Sequence, residues 1–259
     1  MRYLVTNDDG VGAPGITAMA RAMVAAGHNI VVAGPIEDRS GSGAAIGPVH
    51  IGEGIRYERV PIDGIDEPAF GLDGPPALAV LAARLGGFGP APDIVVSGIN
   101  PGPNTGRSVL HSGTVGAALT GANFGVTALA VSIGTGDPVY WETAAELAIA
   151  VPAWLDDAEA KTVINLNVPN VPIGSVLGVR SARLAPFGTV RTAIVGQTDG
   201  HLELELRATE EELSADTDTA LVNAGYAAVT SIVGIRASGE PDVAVHLDEH
   251  LRGAPGRRS

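Results

Sequence analysis

Apolar runs rich in β-branched residues recur along the first two thirds of this chain, and stretches of helical periodicity lie between them. The runs are Tyr3–Thr6, Ile30–Ala33, Ile94–Val96, Leu129–Ser132 and Val163–Leu166. Between the first two, Ile16, Met19, Ala20, Met23 and Val24 fall at i, i+3, i+4, i+7 and i+8, one apolar face of a helix that Pro14 opens and Gly27 stops. Pro75–Leu85 reads as a helix before the third run. Thr114–Asn123 reads as one after it, with Val115, Ala118, Leu119 and Ala122 inward. A strand that is apolar on both faces must be covered on both faces, and helices between parallel strands provide that cover. The pattern predicts an α/β fold, a Rossmann-like, doubly wound, mostly parallel sheet over residues 1–180.

The last third changes period. Leu202, Leu204 and Leu206 alternate with Glu203, Glu205 and Arg207, giving a strand with one apolar and one wet face. Thr189–Val195 precedes it as a second strand, and Asp199-Gly200 between them is a hairpin turn signal. An isolated hairpin is marginal, so the leucine face needs a partner surface, either the main domain or a second subunit. Residues 181–236 are read as a C-terminal β-hairpin and oligomerisation arm with a returning segment. Residues 237–259 form a C-terminal segment whose Gly253–Ser259 end is a disordered tail. The 259 residues suffice for one large core and such an arm.

The formal net charge of −13 argues against a nucleic-acid duplex as partner, because duplex binding needs a basic footprint. It also means that an anionic ligand must find local positive potential, from a cation or from backbone N–H groups. The absence of cysteine excludes thiolate metal sites, iron–sulfur clusters, disulfides and cysteine nucleophiles. Acidic residues follow Met1 too early for a signal peptide. The apolar stretch Ala144–Leu155 contains Glu146 and Pro152 and is too short to span a bilayer. No membrane association and a cytoplasmic location are the expectation.

In open parallel sheets, ligands bind beyond the carboxyl ends of the strands. Three runs lead into polar loops: Thr6-Asn7-Asp8-Asp9-Gly10, Asp38-Arg39-Ser40-Gly41-Ser42-Gly43, and Ser97-Gly98-Ile99-Asn100-Pro101-Gly102-Pro103-Asn104. Parallel strands would gather all three at one edge. Adjacent carboxylates repel, and a hard divalent ion with oxygen ligands relieves the repulsion. Asp8 and Asp9 would be its anionic ligands, Ser40 and Asn100 its neutral ones. The ion, one Mg²⁺ or Mn²⁺ per subunit, would polarise a phosphoryl group and lower the pKa of an attacking water.

Blander readings stand beside this one. An arbitrary Asp-Asp pair before a helix is more often a turn with an N-cap. The Ser-Gly loop alone reads as a flexible connection, and Asn100 as a turn residue beside Pro101. Ser112 and Thr114 can simply cap the helix that follows, or they can hold a phosphate together with Gly113 at the helix N-terminus. His111 can protonate a leaving oxygen, although a lone histidine is usually structural or exposed. The candidate substrate contacts are Asn7, Ser40, Gly41, Ser42, Gly43, Asn104, Ser112, Gly113 and Thr114. Asp8, Asp9 and His111 are the candidate catalytic residues.

Taken in order along the chain, these segments resemble the survival protein SurE family of nucleotidases. The resemblance is carried by Val5-Thr6-Asn7-Asp8-Asp9-Gly10-Val11 with Ala13-Pro14-Gly15-Ile16, by Asp38–Gly43, by Pro92–Asn100 and by His111-Ser112-Gly113-Thr114-Val115. Asn165-Leu166-Asn167-Val168-Pro169 and Asn223–Thr230 are weaker echoes. It implies a hairpin arm exchanged between subunits of a homodimer or homotetramer. It also implies a metal-dependent 5′/3′-nucleotidase that converts nucleoside monophosphates to nucleoside and phosphate by a metal-activated water. On this likeness too the metal ligands are Asp8, Asp9, Ser40 and Asn100. Leu78 stands where family members usually carry an aspartate, Arg107-Ser108 replaces a commonly acidic pair, and Ala44-Ala45 replaces more polar residues.

Three alternatives fit the residues less well. A phosphatase using an aspartyl-phosphate intermediate needs two aspartates flanking one residue, whereas here they are adjacent and Gly10 follows. A dinucleotide site would use Gly10, Gly12 and Gly15, which have the right spacing, but Asp8 and Asp9 would repel its pyrophosphate. A non-catalytic nucleotide-binding or assembly protein retaining the fold would have less reason to keep the whole ligand set.

Overall fold

The computed structural model describes residues 1–49, 52, 54–186, 190–208, 213–235, 245 and 247–250. In chain order the strands are β1 (Arg2–Thr6), β2 (Asn29–Pro35), β3 (Tyr57–Arg59), β4 (Ala69–Leu72), β5 (Ile94–Asn100), β6 (Thr127–Ile133), β7 (Val163–Val168), β8 (Val179–Ser181), β9 (Val190–Thr198), β10 (His201–Ala208) and β11 (Ala227–Ile232). The helices are α1 (Pro14–Ala25), α2 (Pro76–Arg84), α3 (Gly113–Asn123), α4 (Trp141–Ala148), α5 (Val151–Leu155) and α6 (Asp218–Asn223).

Among the described residues, nine strands form one sheet in the order β3-β4-β2-β1-β5-β6-β7-β11-β8. Its middle six, β4-β2-β1-β5-β6-β7, are all parallel. Counted along the chain they stand third, second, first, fourth, fifth and sixth, the doubly wound order. The winding reverses between β1 and β5, where Thr6 lies opposite Ser97. That reversal opens a crevice at the carboxyl ends of these two strands. Short strands finish both sides: β3 is antiparallel to β4, and β8 pairs with β11, which is itself antiparallel to β7.

Alternation along each strand builds two apolar layers. Tyr3 and Val5 face Ile16, Met19 and Met23 of α1 and Ala144 of α4. Leu4 and Val31 face Ala79 and Val80 of α2 and Val115 and Ala118 of α3. The helix opened by Pro14 ends at Ala25, and Gly27 turns the chain at φ +82°.

The loop expected to begin at Ser97 begins later, because β5 continues to Asn100 with a register shift after Ser97. Two glycines allow this. Gly98 has φ +131°, and a Cβ on it would lie 2.3 Å from the Val131 carbonyl oxygen. A Cβ on Gly15 would lie 1.9 Å from the Ile99 carbonyl oxygen, so α1 approaches the irregular end of β5 only because its second residue is glycine.

In the arm, β9 and β10 pair with each other around Asp199-Gly200, where Gly200 has φ +78°. The returning segment re-enters the main sheet as β11. Thr189, the side chains of Leu206 and Arg207, and the Gly253–Ser259 tail lie outside the described residues.

Candidate active site

The turn after β1 is held from inside. Asn7 is fully buried, and its Nδ2 donates to the Gly10 carbonyl at 2.8 Å. The aspartates that follow do not cap α1. Its N-cap is Ala13, without a side-chain bond, and its first turn holds no acidic residue. Asp8, 3% exposed, faces the N-terminus of α3 instead. Its Oδ1 accepts the Thr114 hydroxyl at 2.6 Å, and the Thr114 backbone N–H also bonds the carboxylate. Ser112 caps that helix, its Oγ accepting the Val115 N–H at 3.1 Å.

The Ser-Gly loop is clamped between this turn and α3. The Arg39 N–H donates to the Asp8 carbonyl at 2.7 Å, and the Gly43 N–H to the His111 carbonyl at 3.2 Å. A Cβ on Gly113 would lie 2.7 Å from Asp8 Oδ2 and 2.8 Å from Ser42 Oγ. Glycine at 113 thus lets the start of α3 close directly on Asp8 and Ser42. Ser40, exposed, donates both its hydroxyl and its N–H to Asp38 Oδ1, at 2.6 and 2.7 Å. These bonds hold the Asp38 carboxyl below the usual range. Its hydroxyl proton engaged, Ser40 Oγ offers lone pairs.

Asn100 closes β5, and its Nδ2 donates to the Gly102 carbonyl at 2.6 Å, leaving Oδ1 as its acceptor. Asn104 is drawn toward β6 and β7. Its N–H donates to Asn167 Oδ1 and its Nδ2 to Ser132 Oγ, both at 2.8 Å, while its carbonyl accepts from Asn165 and Asn167. His111 is exposed at the end of the 3₁₀ turn Gly106–His111. The structure therefore brings Asp8, Ser42, Gly113 and Thr114 together. The Asn7 side chain serves to hold backbone, and that of Asn104 to bond the Ser132 hydroxyl.

The site is short of positive charge. Burial pushes the Asp8 carboxyl up. Burial, followed by the charges of Asp8 and Asp38, pushes Asp9 up to about 7. Asp9 Oδ2, Asn7 Oδ1 and Ser42 Oγ are buried without a hydrogen-bond partner. The nearby guanidinium, that of Arg39, turns to Asp73 at 3.2 Å. A buried carboxylate oxygen without a donor is costly, and a hard cation satisfies it. Among the described residues no group of three or more histidine, aspartate or glutamate side chains is placed to hold a metal ion. A cation here would rest on two carboxylates, with the neutral oxygens of Ser40 and Asn100 completing a set suited to Mg²⁺ or Mn²⁺. The unpartnered Asp9 Oδ2 and the oxygen-only donor types suit such an ion.

The sequence reading passed over Asp38, which fixes Ser40 and adds negative charge beside Asp9. The available signal was the Asp-x-Ser spacing, which favours a side chain folding back onto backbone two residues on.

Residues 3–189 match the family model described as survival protein SurE. A 5′-nucleotidase SurE of Xanthomonas axonopodis pv. citri (strain 306) is 38% identical over 240 residues, 90% of this chain and 89% of that one. One from Stenotrophomonas maltophilia (strain K279a) is 36% identical over 239 residues, again 90% and 89%. The crystal structure of the SurE protein from Aquifex aeolicus superposes with a TM-score of 0.77 at 26% identity, covering 97% of this chain and 100% of that chain.

Proposed function

The chain belongs to the survival protein SurE family, and we propose that it is a metal-dependent nucleotidase hydrolysing nucleoside 5′- or 3′-monophosphates to nucleoside and phosphate. The observation that carries this reading is the pair of buried Asp8 and half-buried Asp9, in which Asp9 Oδ2 is buried without a donor and, among the described residues, no cationic side chain offsets the charge. Relatives over nine tenths of the chain bear the name 5′-nucleotidase, which supports the substrate class.

Asp8, Asp9, Ser40 and Asn100 are the proposed metal ligands, for one Mg²⁺ or Mn²⁺ per subunit. A divalent cation held there supplies Lewis acidity toward a phosphoryl oxygen and lowers the pKa of a bound water. The protein's own share is orientation. Thr114 fixes one oxygen of Asp8, Asp38 fixes Ser40, and Gly102 turns the Asn100 amide. The Ser-Gly loop and the start of α3 meet at Gly113, and the phosphate is proposed to sit there against Ser42, Gly43 and Ser112. His111, exposed beside it, is the proposed donor of the proton to the leaving sugar oxygen.

The arm supports a further part of the reading. Ile194, Val195, Leu202 and Leu204 are 64%, 44%, 58% and 61% exposed. An apolar hairpin of this kind needs cover, and we propose that a second copy supplies it in a homodimer or homotetramer. Among the described residues no helix is long and apolar enough to cross a membrane.

The deciding experiment measures phosphate release from a panel of nucleoside monophosphates with and without added Mn²⁺ or Mg²⁺. Metal-dependent release is expected, with its loss in Asp8→Asn. No metal-dependent release from any member of the panel overturns the reading.

A further inference from the structure

Asp218 is fully buried, and it lies 107 or more residues from each proposed metal ligand and from His111. Among the described residues no cationic side chain meets it. Its carboxylate is held by backbone N–H groups from two distant stretches of chain and from its own neighbour: Gly106 donates to Oδ2 at 2.8 Å, Ala185 to Oδ1 at 2.9 Å, and Thr219 to Oδ1 at 2.8 Å. Beside it, Thr219 donates its hydroxyl to that of Thr105 at 2.9 Å. A buried carboxylate that draws distant backbone segments onto itself is a joint, because charge-assisted bonds to N–H groups are about twice as strong as neutral ones.

The segments it joins matter for the chemistry. Ala185 and Asp218 stand on the outgoing and returning sides of the arm's neck, which Arg183 and Asp216 also clip together at 2.7 Å. Gly106 begins the 3₁₀ turn that ends at His111, whose carbonyl in turn holds Gly43 of the Ser-Gly loop. The connection from β5 to α3 is therefore pinned twice. Its upstream half, next to Asn100, is held at Asn104 by Asn165, Asn167 and Ser132. Its downstream half, which carries His111, is held at Thr105 and Gly106 by Thr219 and Asp218.

We infer that Asp218 is a positioning residue for the leaving-group side of the site: it fixes the Gly106–His111 turn against the neck of the arm. The inference rests on the nucleotidase reading. Releasing Gly106 frees the turn while the Asn104 pins stay in place, so proton delivery to the leaving oxygen is impaired and the metal side is spared. An asparagine at 218 keeps one acceptor oxygen and turns an NH₂ toward one of the N–H donors, so Asp218→Asn removes at least one of the three bonds.

The test uses the full-length protein with two substrates, a nucleoside monophosphate and p-nitrophenyl phosphate, whose leaving group departs without protonation. In Asp218→Asn, kcat for the nucleotide is expected to fall at least about tenfold, the lower end of what a lost general acid costs being larger still. The expected change on the aryl ester is less than about threefold, and in KM less than about twofold, since binding on the metal side is unaffected. In a His111→Ala background the further loss from Asp218→Asn should vanish, because two changes acting through one group do not add. Equal losses on both esters, or losses that multiply with His111→Ala, overturn the inference. Should Asp218→Asn fail to fold, Thr219→Val makes the same test, with an expected nucleotide-specific loss of up to about fivefold for one removed hydrogen bond; no nucleotide-specific loss there overturns it equally. A wild-type protein that releases no phosphate from nucleotides removes the parent reading. An active wild type with an unaffected variant removes this inference alone.

Discussion

The Thr114 hydroxyl donates to Asp8 Oδ1 at 2.6 Å, across 106 residues of sequence. This bond ties the end of β1 to the first turn of α3 and leaves Asp8 Oδ2 close against Gly113. It acts on the proposed metal ligand from behind, the arrangement that commonly sets a ligand's orientation. In Thr114→Val the shape is kept and the donor lost. The Mn²⁺ concentration giving half-maximal activity is expected to rise about tenfold or more, with the midpoint of thermal unfolding little changed. An unaltered metal dependence would remove Thr114 from this role.

Gly113→Ala adds one methyl group where two loops meet a helix. The new carbon would sit 2.7 Å from Asp8 Oδ2 and 2.8 Å from Ser42 Oγ, well inside contact distance. Overpacking of this kind costs about 1–3 kcal/mol in stability, which a domain of this size tolerates. The placement of Asp8 and Ser42 does not survive it. Activity is expected to drop about 100-fold, because misplacing groups by about an ångström costs that much in rate, while circular dichroism stays native. A variant retaining more than about half of wild-type turnover shows that the reacting group lies elsewhere.

The contrast between these contacts and the sequence explains what could be read in advance. The central strands were legible because both of their faces are buried, which leaves unbroken runs such as Ile30–Ala33 and Val163–Leu166. The positions of Asp8 and Asn100 at one sheet edge followed from parallel order alone. The partner of Asp8 did not, because nothing local to residues 6–10 marks Thr114 as its donor. The short edge strands β3 and β8 are exposed and carry no period to detect. The late start of the loop after β5 was hidden for a related reason: Gly98 and Gly15 signal a close backbone approach only once the partner carbonyls are known.

Protonation of Asp9 gives the metal-free protein a distinctive pH dependence. Burial and two neighbouring carboxylates raise its pKa from 3.8 to about 7, so between those values the folded state keeps a proton that the unfolded state has lost. Stability therefore falls as pH rises through that window, because stability declines wherever the native state binds the extra proton. Burial shifts Asp8 in the same direction. Thermal unfolding of chelator-treated protein should show a midpoint that decreases from about pH 4 to about pH 7. In Asp9→Asn the slope should be reduced, and saturating Mn²⁺, which favours the ionised carboxylates, should flatten or reverse it. A slope identical in wild type and Asp9→Asn would assign the effect to other groups.

Leu204 lies opposite Ile194 across the arm, and both side chains are more than half exposed at 61% and 64%. Strand pairing satisfies the backbone of β9 and β10, so the apolar face is the part of the hairpin that lacks a partner. If that face is buried in an oligomer, a charge placed on it must be desolvated in the assembled state but not in the free subunit. Leu204→Asp is therefore expected to weaken assembly by at least about 3 kcal/mol, counting the lost side-chain burial and the buried charge together. Light scattering coupled to gel filtration at micromolar concentration should show the wild type as a dimer or tetramer and the variant shifted toward monomer. A wild type of monomeric mass under those conditions eliminates the oligomer. A variant that assembles as tightly as wild type instead moves the interface off this face, leaving the hairpin's exposed leucines to be covered by some other surface of the same chain.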